Sequence, residues 1–339
     1  MRTLATIIAA AGVAAGLFTP AVALENGDRL RIIVPYSPGG GYDTQARMVA
    51  PFLQDALNAG DYSDITVTVE NMSGGGGAIA TAHVFNAEPD GTTILILDAE
   101  SSLYQQVLAG APFDLGAFEY LAQQSSDSLV FQTRKDLGFA SFDDALQRSH
   151  EEALLNAGTP NGGYGWVFPQ LLIKFLADAG IDLKVENLPI SGTSDVIASM
   201  RRGEVEMNIG SHTGFRKAYD EGVMDYRAAF NDPGESVMCG DEPCPDAREV
   251  LGLPADAYDT LQPAARFRRI YVAPPGTDAE TVENLREALA TVMQDQAFLE
   301  KAEAAGQPVK FLSGADVTEA FAKEIQLADE FDDYLKGLL

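Results

Sequence analysis

The stretch Arg31-Ile-Ile-Val-Pro-Tyr-Ser-Pro-Gly-Gly-Gly-Tyr-Asp-Thr-Gln-Ala-Arg47 decides the fold prediction. A short apolar run at 32–34 stops at Pro35, and three glycines precede a helical pattern that begins at Asp43. This order predicts a strand, a tight loop and a helix N-terminus. Glycine lets backbone N–H groups approach a ligand, and the helix start adds unpaired donors and the positive end of a dipole. The stretch therefore predicts an anion site, although an ordinary glycine-rich turn would have the same pattern.

The same order recurs outward from this stretch. Strands are predicted at 65–69 and 93–97, with a glycine run and a small-residue helix at 78–86 between them. Such alternation predicts a parallel sheet with covering helices, and the continuous apolar strands indicate burial on both faces. The loop after the first of these strands adds the candidate ligand contacts Ser73, Gly75 and Gly76.

Three strand ends in the second half also carry small, hydrogen-bonding residues. They follow Ala157, Leu188 and Ile209, and the last of them leads to His212. Ligands of open α/β sheets bind outside the carboxyl ends of the strands. We therefore predict an α/β fold of two lobes, each a mainly parallel sheet with flanking helices, and a ligand cleft between them. The predicted lobes are 24–126 plus 228–339 and 127–227.

The first residues have the pattern of a signal peptide. Arg2 precedes an apolar segment at 4–18, and Ala21-Val22-Ala23 fits the small-residue cleavage pattern. The apolar run is too short to favour a membrane span. We expect an exported, periplasmic protein that is cleaved after Ala23.

The charge balance excludes some functions. The chain has 23 basic and 50 acidic side chains, so its net charge is 23 − 50 = −27. Nucleic-acid binding is not expected, because a phosphate backbone needs basic patches. An anion site in so acidic a chain must use short-range dipoles and hydrogen bonds rather than long-range steering.

Cys239 and Cys244 are the two cysteines of the chain. In an oxidising compartment we expect a disulfide between them, with free thiols as the alternative. A metal site would need more ligands, and His83, His150 and His212 do not have ligand spacing. Neither a metal nor a cofactor is expected.

One motif favours a different function. Gly75-x-Gly77-x-x-Ala80 follows a strand and opens a helix, and Asp98 stands about twenty residues on, which satisfies the dinucleotide fingerprint. A match inside a glycine run is weak, and an exported protein has little access to nicotinamide cofactors. A dinucleotide-binding oxidoreductase is therefore the alternative prediction.

The chain resembles the Bug family, the periplasmic substrate-binding receptors of tripartite tricarboxylate transporters. The matching stretches follow the family's order over most of the mature chain, at 34–47, 69–77 (Val-Glu-Asn-Met-Ser-Gly-Gly-Gly-Gly), 89–95 (Pro-Asp-Gly-Thr-Thr-Ile-Leu), 203–205 and 272–277. The resemblance implies a Venus-flytrap fold that captures a small carboxylate and presents it to the transporter's membrane subunits. We expect a monomer.

The resemblance also implies where the ligand is held. Carried over onto this sequence, the family's ligand loops are Tyr36, Ser37, Gly39, Gly40, Gly41 and Asp43 in the first lobe, and Gly158, Thr159, Asn161, Gly162, Gly163 and Ser191 to Asp195, with Thr193, in the second. The chain departs from the family pattern at 125–153, at Tyr164-Gly-Trp166 and in its cysteine pair. The identity of the ligand, whether a di- or tricarboxylate, an aromatic acid or an amino acid, therefore stays open.

Catalysis is the competing class of function, but the sequence shows no nucleophile with a base and an orienting third group. None of the strand-end serines sits in Gly-x-Ser-x-Gly, and His212 follows Ser211 without an orienting third group in the sequence. We expect no enzyme activity. Asp43 fits a structural role at a helix start better than a ligand contact, whereas Asp195 could receive a ligand amine or hydroxyl.

Overall fold

The structure is a computed structural model, and it describes residues 23–158, 164–190, 192–231, 235–330 and 336–337. Residues 1–22 of the predicted signal peptide lie outside this part. So do Thr159, Asn161, Gly162, Gly163 and Ser191 of the predicted ligand loops. Within the described part, no helix is long and apolar enough to cross a membrane.

Strands and helices alternate along the chain. The strands are β1 (Arg29–Val34), β2 (Thr66–Asn71), β3 (Thr93–Asp98), β4 (Glu119–Arg134), β5 (Leu154–Ala157), β6 (Val185–Leu188), β7 (Met207–Ser211), β8 (Met224–Phe230), β9 (Met238–Cys239), β10 (Glu242–Pro243), β11 (Arg266–Ala273) and β12 (Leu312–Ser313). The α-helices are α1 (Gly41–Ala59), α2 (Ala78–Phe85), α3 (Ala99–Ala109), α4 (Phe142–Glu151), α5 (Tyr164–Asp178), α6 (Thr193–Arg202), α7 (His212–Asp220), α8 (Ala247–Val250), α9 (Ala255–Leu261), α10 (Ala279–Gln294), α11 (Gln296–Ala304) and α12 (Gly314–Glu330).

The long strand β4 joins the two halves of the sheet. In the first half, β1 lies between its parallel neighbours β2 and β3, and β11 runs antiparallel between β3 and β4. In the second half, β5 pairs in parallel with β6 and β7, while the end of β4 runs antiparallel to β7 and β8. Parallel strands whose carboxyl ends face one edge make the predicted kind of site possible.

Helices cover both faces of the first half. On one face, Leu53 of α1 and Leu289 of α10 are buried against β1 and β3. On the other face, Leu103 of α3 and Phe321 of α12 pack against the alternate residues of the same strands. All six residues of β3 are buried, as a strand covered on both sides requires.

The predicted two-lobed α/β class is confirmed, while the predicted lobe boundaries stay a prediction. Residues 228–230 belong to β8 and still pair with β4 in the second half. Helices α8 and α9 also pack into the cluster around Phe131 and Phe168 of that half. We therefore propose that the chain returns to the first lobe with β11 rather than at residue 228.

Several element bounds differ from the sequence-based expectation. The helical pattern predicted to begin at Asp43 is part of a helix that starts earlier, at Gly41, because glycine backbone also adopts helical dihedral angles. Strand β4 is sixteen residues long, although its apolar run at 129–131 has the sequence pattern of a short strand. The short helices α8 and α9 lie in a part of the chain that is rich in proline and acidic residues, a composition typical of loops.

The predicted disulfide is present between Cys239 and Cys244. It closes a hairpin in which β9 and β10 pair antiparallel. The side chain of Cys244 is buried beside Val130 and Tyr226, so the bridge fixes this hairpin on the outer side of β8.

We predict that thiol titration of the unfolded, unreduced protein finds no free thiol. Reduction should lower the free energy of unfolding by about 2 kcal/mol, because a loop closed over so few residues removes little entropy from the unfolded chain. Chemical denaturation with and without reductant measures this difference. Two titratable thiols before reduction would contradict the assignment.

Candidate functional site

A cavity of about 80 Å³ lies where strand ends of the two lobes face each other. Glycine, aromatic and short polar residues from both lobes form its wall. The described lining residues are Tyr36, Gly40, Gly41, Tyr42, Gly76, Asp98, Ala157, Tyr164, Gly165, Ile190, Gly192, Thr193, Val196, Asn208, Ile209, Gly210, Ser211, Phe215 and Phe267.

Helix α1 presents its N-terminus to this cavity. Gly40 is the N-cap residue and no side chain caps the helix. The preceding Gly39 has a φ of +83°, a value that favours glycine. Asp43 accepts a hydrogen bond from the Gly39 N–H at 2.8 Å and pairs with Arg47 at 2.9 Å, so it stabilises the turn rather than facing the cavity. Burial opposes ionisation of Asp43, but these hydrogen bonds outweigh it and lower its pKa.

Helix α6 presents a second N-terminus from the opposite lobe. Gly192 is its N-cap residue, again with no side-chain cap. The two helix starts touch across the cleft, where the Ser194 hydroxyl donates to the Pro38 carbonyl and the Ser37 hydroxyl donates to Asp195, both at 3.4 Å. Two sets of unpaired N–H groups and two positive dipole ends therefore converge on one space.

Asp98 forms another part of the wall, at the end of β3. Its carboxylate accepts hydrogen bonds from the Tyr36 hydroxyl at 2.5 Å and from the Ser101 hydroxyl at 2.8 Å and N–H at 3.0 Å. The Ser101 hydroxyl in turn accepts from the Tyr164 N–H of the second lobe at 3.0 Å. Burial raises the pKa of Asp98, although the hydrogen bonds from Tyr36 and Ser101 oppose the rise.

Arg269 and Asp127 form a buried ion pair behind the cavity. Their atoms lie 2.5 Å apart, and the two side chains are 1% and 3% exposed. Arg269 also donates to Ser125 and Ser211, and Asp127 accepts from Ser211 and Thr213. Burial opposes ionisation of Asp127, but the guanidinium beside it prevails and lowers the pKa of that carboxyl.

The glycine-rich turn before α2 does not have the arrangement of a dinucleotide site. In that arrangement the strands on either side of the fingerprint turn are neighbours in the sheet. Here β1 lies between β2 and β3. The carbonyls of Gly75 and Gly76 accept from the Gln105 amide at 3.0 and 2.9 Å, and Asp98 is bound by Tyr36 and Ser101.

The structure brings some of the predicted ligand residues together and places others elsewhere. The predicted residues that line the cavity are Tyr36, Gly40, Gly41, Gly76, Gly192 and Thr193. Those described residues that do not line it are Ser37, Gly39, Asp43, Ser73, Gly75, Gly158, Ser194, Asp195 and His212. Ser73 and Gly75 are exposed, and a Cβ on Gly158 would lie 2.5 Å from the Gly165 carbonyl oxygen, so that glycine serves close backbone packing.

Sequence reasoning missed an aromatic wall of the cavity. The rings of Tyr42 and Tyr164 each meet Phe267 edge to face, with centroids 5.6 Å apart. In the sequence these residues have the apolar pattern of an ordinary core. Ser211 could have been predicted as a lining residue from its position at the end of β7. Its hydroxyl also caps α7 by accepting from the Gly214 N–H at 3.1 Å.

No nucleophile–base pair or metal site is found in the part of the chain that the structure describes. The Ser211 hydroxyl donates to Asp127 at 2.7 Å rather than to His212. His212 packs its ring against Tyr226, and burial lowers its pKa. No group of three or more His, Cys, Asp or Glu side chains among these residues could hold a metal ion.

Comparisons with known proteins agree with this architecture. No protein-family model matches the chain. A UPF0065 protein of Agrobacterium vitis is 25% identical over 277 residues, which span 80% of this chain and 72% of that protein. The periplasmic binding protein BugD superposes with a TM-score of 0.75 at 20% identity, covering 91% of this chain and 97% of BugD. The resemblance to the Bug family is confirmed.

A further solved structure supports the Bug-like fold. The malate-bound MatC of Rhodopseudomonas palustris superposes with a TM-score of 0.69 at 20% identity, covering 91% of this chain and 98% of MatC. These two superpositions show that the chain has the two-lobed fold of periplasmic binding proteins.

We predict that Asp127→Asn lowers the free energy of unfolding by about 3–5 kcal/mol, because it leaves the Arg269 charge buried without its partner. Chemical denaturation at neutral pH measures the loss. The matched control is Asp220→Asn, whose carboxylate pairs with Arg216 at 3.0 Å with both side chains partly exposed. That control should lose less than about 1 kcal/mol. Equal losses of unfolding free energy in the two variants would contradict the claim that the buried pair stabilises the fold more than the exposed pair does.

The same pair predicts a pH dependence. A carboxyl whose pKa is lowered by folding contributes stability above its unfolded pKa of about 3.9, and that contribution is lost as the pH falls through the lower folded value. The difference between wild type and Asp127→Asn should therefore be constant above about pH 5 and shrink below about pH 3.9. Denaturation curves across this range test it, and a difference that grows in acid would contradict it.

Proposed function

We propose that the chain is an extracytoplasmic solute-binding receptor that captures a small carboxylate in the cleft between its lobes. The observation that carries the proposal is the convergence of α1 and α6. The N-cap residue of each helix, Gly40 or Gly192, is a glycine that lines the cavity, and neither helix has a side-chain cap. Their free N–H groups would be satisfied by the oxygens of a bound carboxylate.

The acidic composition of the chain is compatible with this mode of binding. Backbone N–H groups and helix dipoles act over the first turn of a helix, so they attract an anion at short range without a basic side chain. The solved MatC structure contains bound malate, a small carboxylate, in the same kind of fold. Both observations support a carboxylate ligand here.

The location and partners follow from the same proposal. We propose that the mature protein works in the periplasm after cleavage behind Ala23, as a monomer, and delivers its ligand to the membrane subunits of a tripartite tricarboxylate transporter. The likeness to BugD and to the UPF0065 relative supports this role. BugD is a periplasmic binding protein, and neither the described part of the cleft nor the comparisons support the oxidoreductase alternative.

The proposal predicts that a carboxylate ligand stabilises the mature protein. At 100 times its dissociation constant the ligand should add about 2.7 kcal/mol to the free energy of unfolding. A thermal-shift screen against small carboxylates measures the effect. Stabilisation by a dinucleotide, together with no stabilisation by any of the carboxylates, would overturn the proposal.

We predict that Gly40→Val weakens carboxylate binding at least tenfold without unfolding the protein. The φ of Gly40 is −82°, which valine tolerates, but its Cβ position already lies 3.6 Å from the Ser194 hydroxyl and 3.9 Å from Thr193 across the cleft. Two further methyl groups would therefore hold the helix starts apart. Calorimetric titration measures the affinity, and circular dichroism and the ligand-free melting temperature measure the fold.

Gly40→Ala is the matched control for this prediction. A single methyl group fits at these distances, so the alanine variant should bind within a few-fold of wild type. If Gly40→Val remains folded and binds with wild-type affinity, the start of α1 does not contact the ligand.

A further inference from the structure

The cavity has one acidic side chain and no basic side chain among the described residues that line it. Asp98 is the one formally charged side chain in that described lining. A ligand that enters this space therefore meets a carboxylate and helix N-termini.

Neither neighbouring arginine forms an ion pair with Asp98, although the charge of Arg269 opposes the rise in the pKa of Asp98. Arg269 directs its guanidinium to Asp127 at 2.5 Å, and Arg268 is bound by Glu100 at 2.7 Å and by Glu324. The hydrogen-bond partners that the structure gives Asp98 are neutral donors, from Tyr36 and Ser101. Three carboxylates, Asp127, Glu100 and Glu324, already pair with these two guanidinium groups, and Asp98 is not within ion-pair distance of either group.

Asp98 also retains the capacity to accept a hydrogen bond. Its Oδ1 accepts one hydrogen bond, from the Ser101 N–H, whereas Oδ2 accepts two, from the Tyr36 and Ser101 hydroxyls. A carboxylate oxygen has two acceptor sites, so Oδ1 can take a further donor. A second carboxylate of a ligand cannot donate to it and would instead place like charges together in a desolvated site.

We propose that the cleft selects a zwitterion, a small carboxylate that also carries an ammonium group. The ammonium binds Asp98, and the carboxylate binds the uncapped starts of α1 and α6. Tyr36 links the two ends, since its hydroxyl binds Asp98 while its ring lies beside Gly192, whose Cβ position is 3.7 Å from the ring edge. This inference deepens the proposed function and rests on it.

The test uses pairs of probes that differ by the amine alone. Racemic alanine is compared with propionate, racemic aspartate with succinate, and racemic glutamate with glutarate, by calorimetric titration of the mature protein at pH 7. At least one amine-bearing member should bind about ten- to a hundredfold more tightly than its amine-free partner, as expected for a charge-assisted hydrogen bond. In Asp98→Asn that preference should disappear.

A matched control keeps the same chemical change away from the cleft. Asp295 is also a helix N-cap, accepting from the Phe298 N–H at 2.8 Å at the exposed start of α11. Asp295→Asn should keep the wild-type preference. Asparagine is as good an N-cap as aspartate, so Asp98→Asn should remain folded. If Asp98→Asn does not fold, the ratio of the wild-type affinities for the two members of each pair tests the inference.

The outcomes separate this inference from the function on which it rests. A wild-type protein that binds only amine-free carboxylates overturns the zwitterion and keeps the carboxylate receptor. An amine preference that survives in Asp98→Asn also overturns the inference, because another group then holds the ammonium. Binding of neither member of any pair, nor of any other carboxylate, would overturn both.

Discussion

The ion pair between Arg269 and Asp127 is the interaction on which the floor of the cleft depends. It joins β11 to β4, the strand that links the two halves of the sheet, at a point where both side chains are buried. Ser211 and Thr213, at the start of α7, donate to the same carboxylate. The rings of Tyr42 and Phe267 cover the guanidinium, with its carbon 4.9 and 5.2 Å from their centroids. Removing either charge would leave the other unpaired in a dry interior.

This pair also explains why the first residue of α1, Gly41, is a glycine. A Cβ on Gly41 would lie 3.0 Å from a terminal nitrogen of Arg269, so the start of α1 packs directly on the guanidinium. The helix N-terminus and a positive charge thus lie close together, with Asp127 compensating that charge from the other side. Because the guanidinium is committed to Asp127, the cavity in front of it is shaped by N–H groups, rings and Asp98. In the proposed receptor, stability and ligand recognition therefore use different carboxylates, Asp127 and Asp98.

The sequence predicted the parts of the site that depend on backbone. Glycine at 39–41, the strand before it and the helix after it are local patterns, and the structure places all three as expected. The sequence could not place Arg269 or Phe267 at the site. A basic and an aromatic residue near the start of a strand do not reveal which face of the sheet they occupy. Ser73 and Gly75 were expected at the ligand for their composition. Both are exposed and lie outside the described lining, and the Gly75 carbonyl accepts from Gln105, thirty residues further along the chain.

The meaning of Asp98 shows where local patterns stop being sufficient. Spacing alone placed it as the acid of a dinucleotide fingerprint, and the same residue does stand at a strand end beside a glycine-rich turn. Strand order removes that role, because β1 separates β2 from β3. What remains is a buried carboxylate at a cleft between lobes, bound by neutral donors while both adjacent arginines are engaged elsewhere. The polar contacts between the two helix starts are long, at 3.4 Å, and therefore weak. A ligand that satisfies both helix starts would contribute more to closure than these contacts do, which is the property a two-lobed receptor needs to signal occupancy.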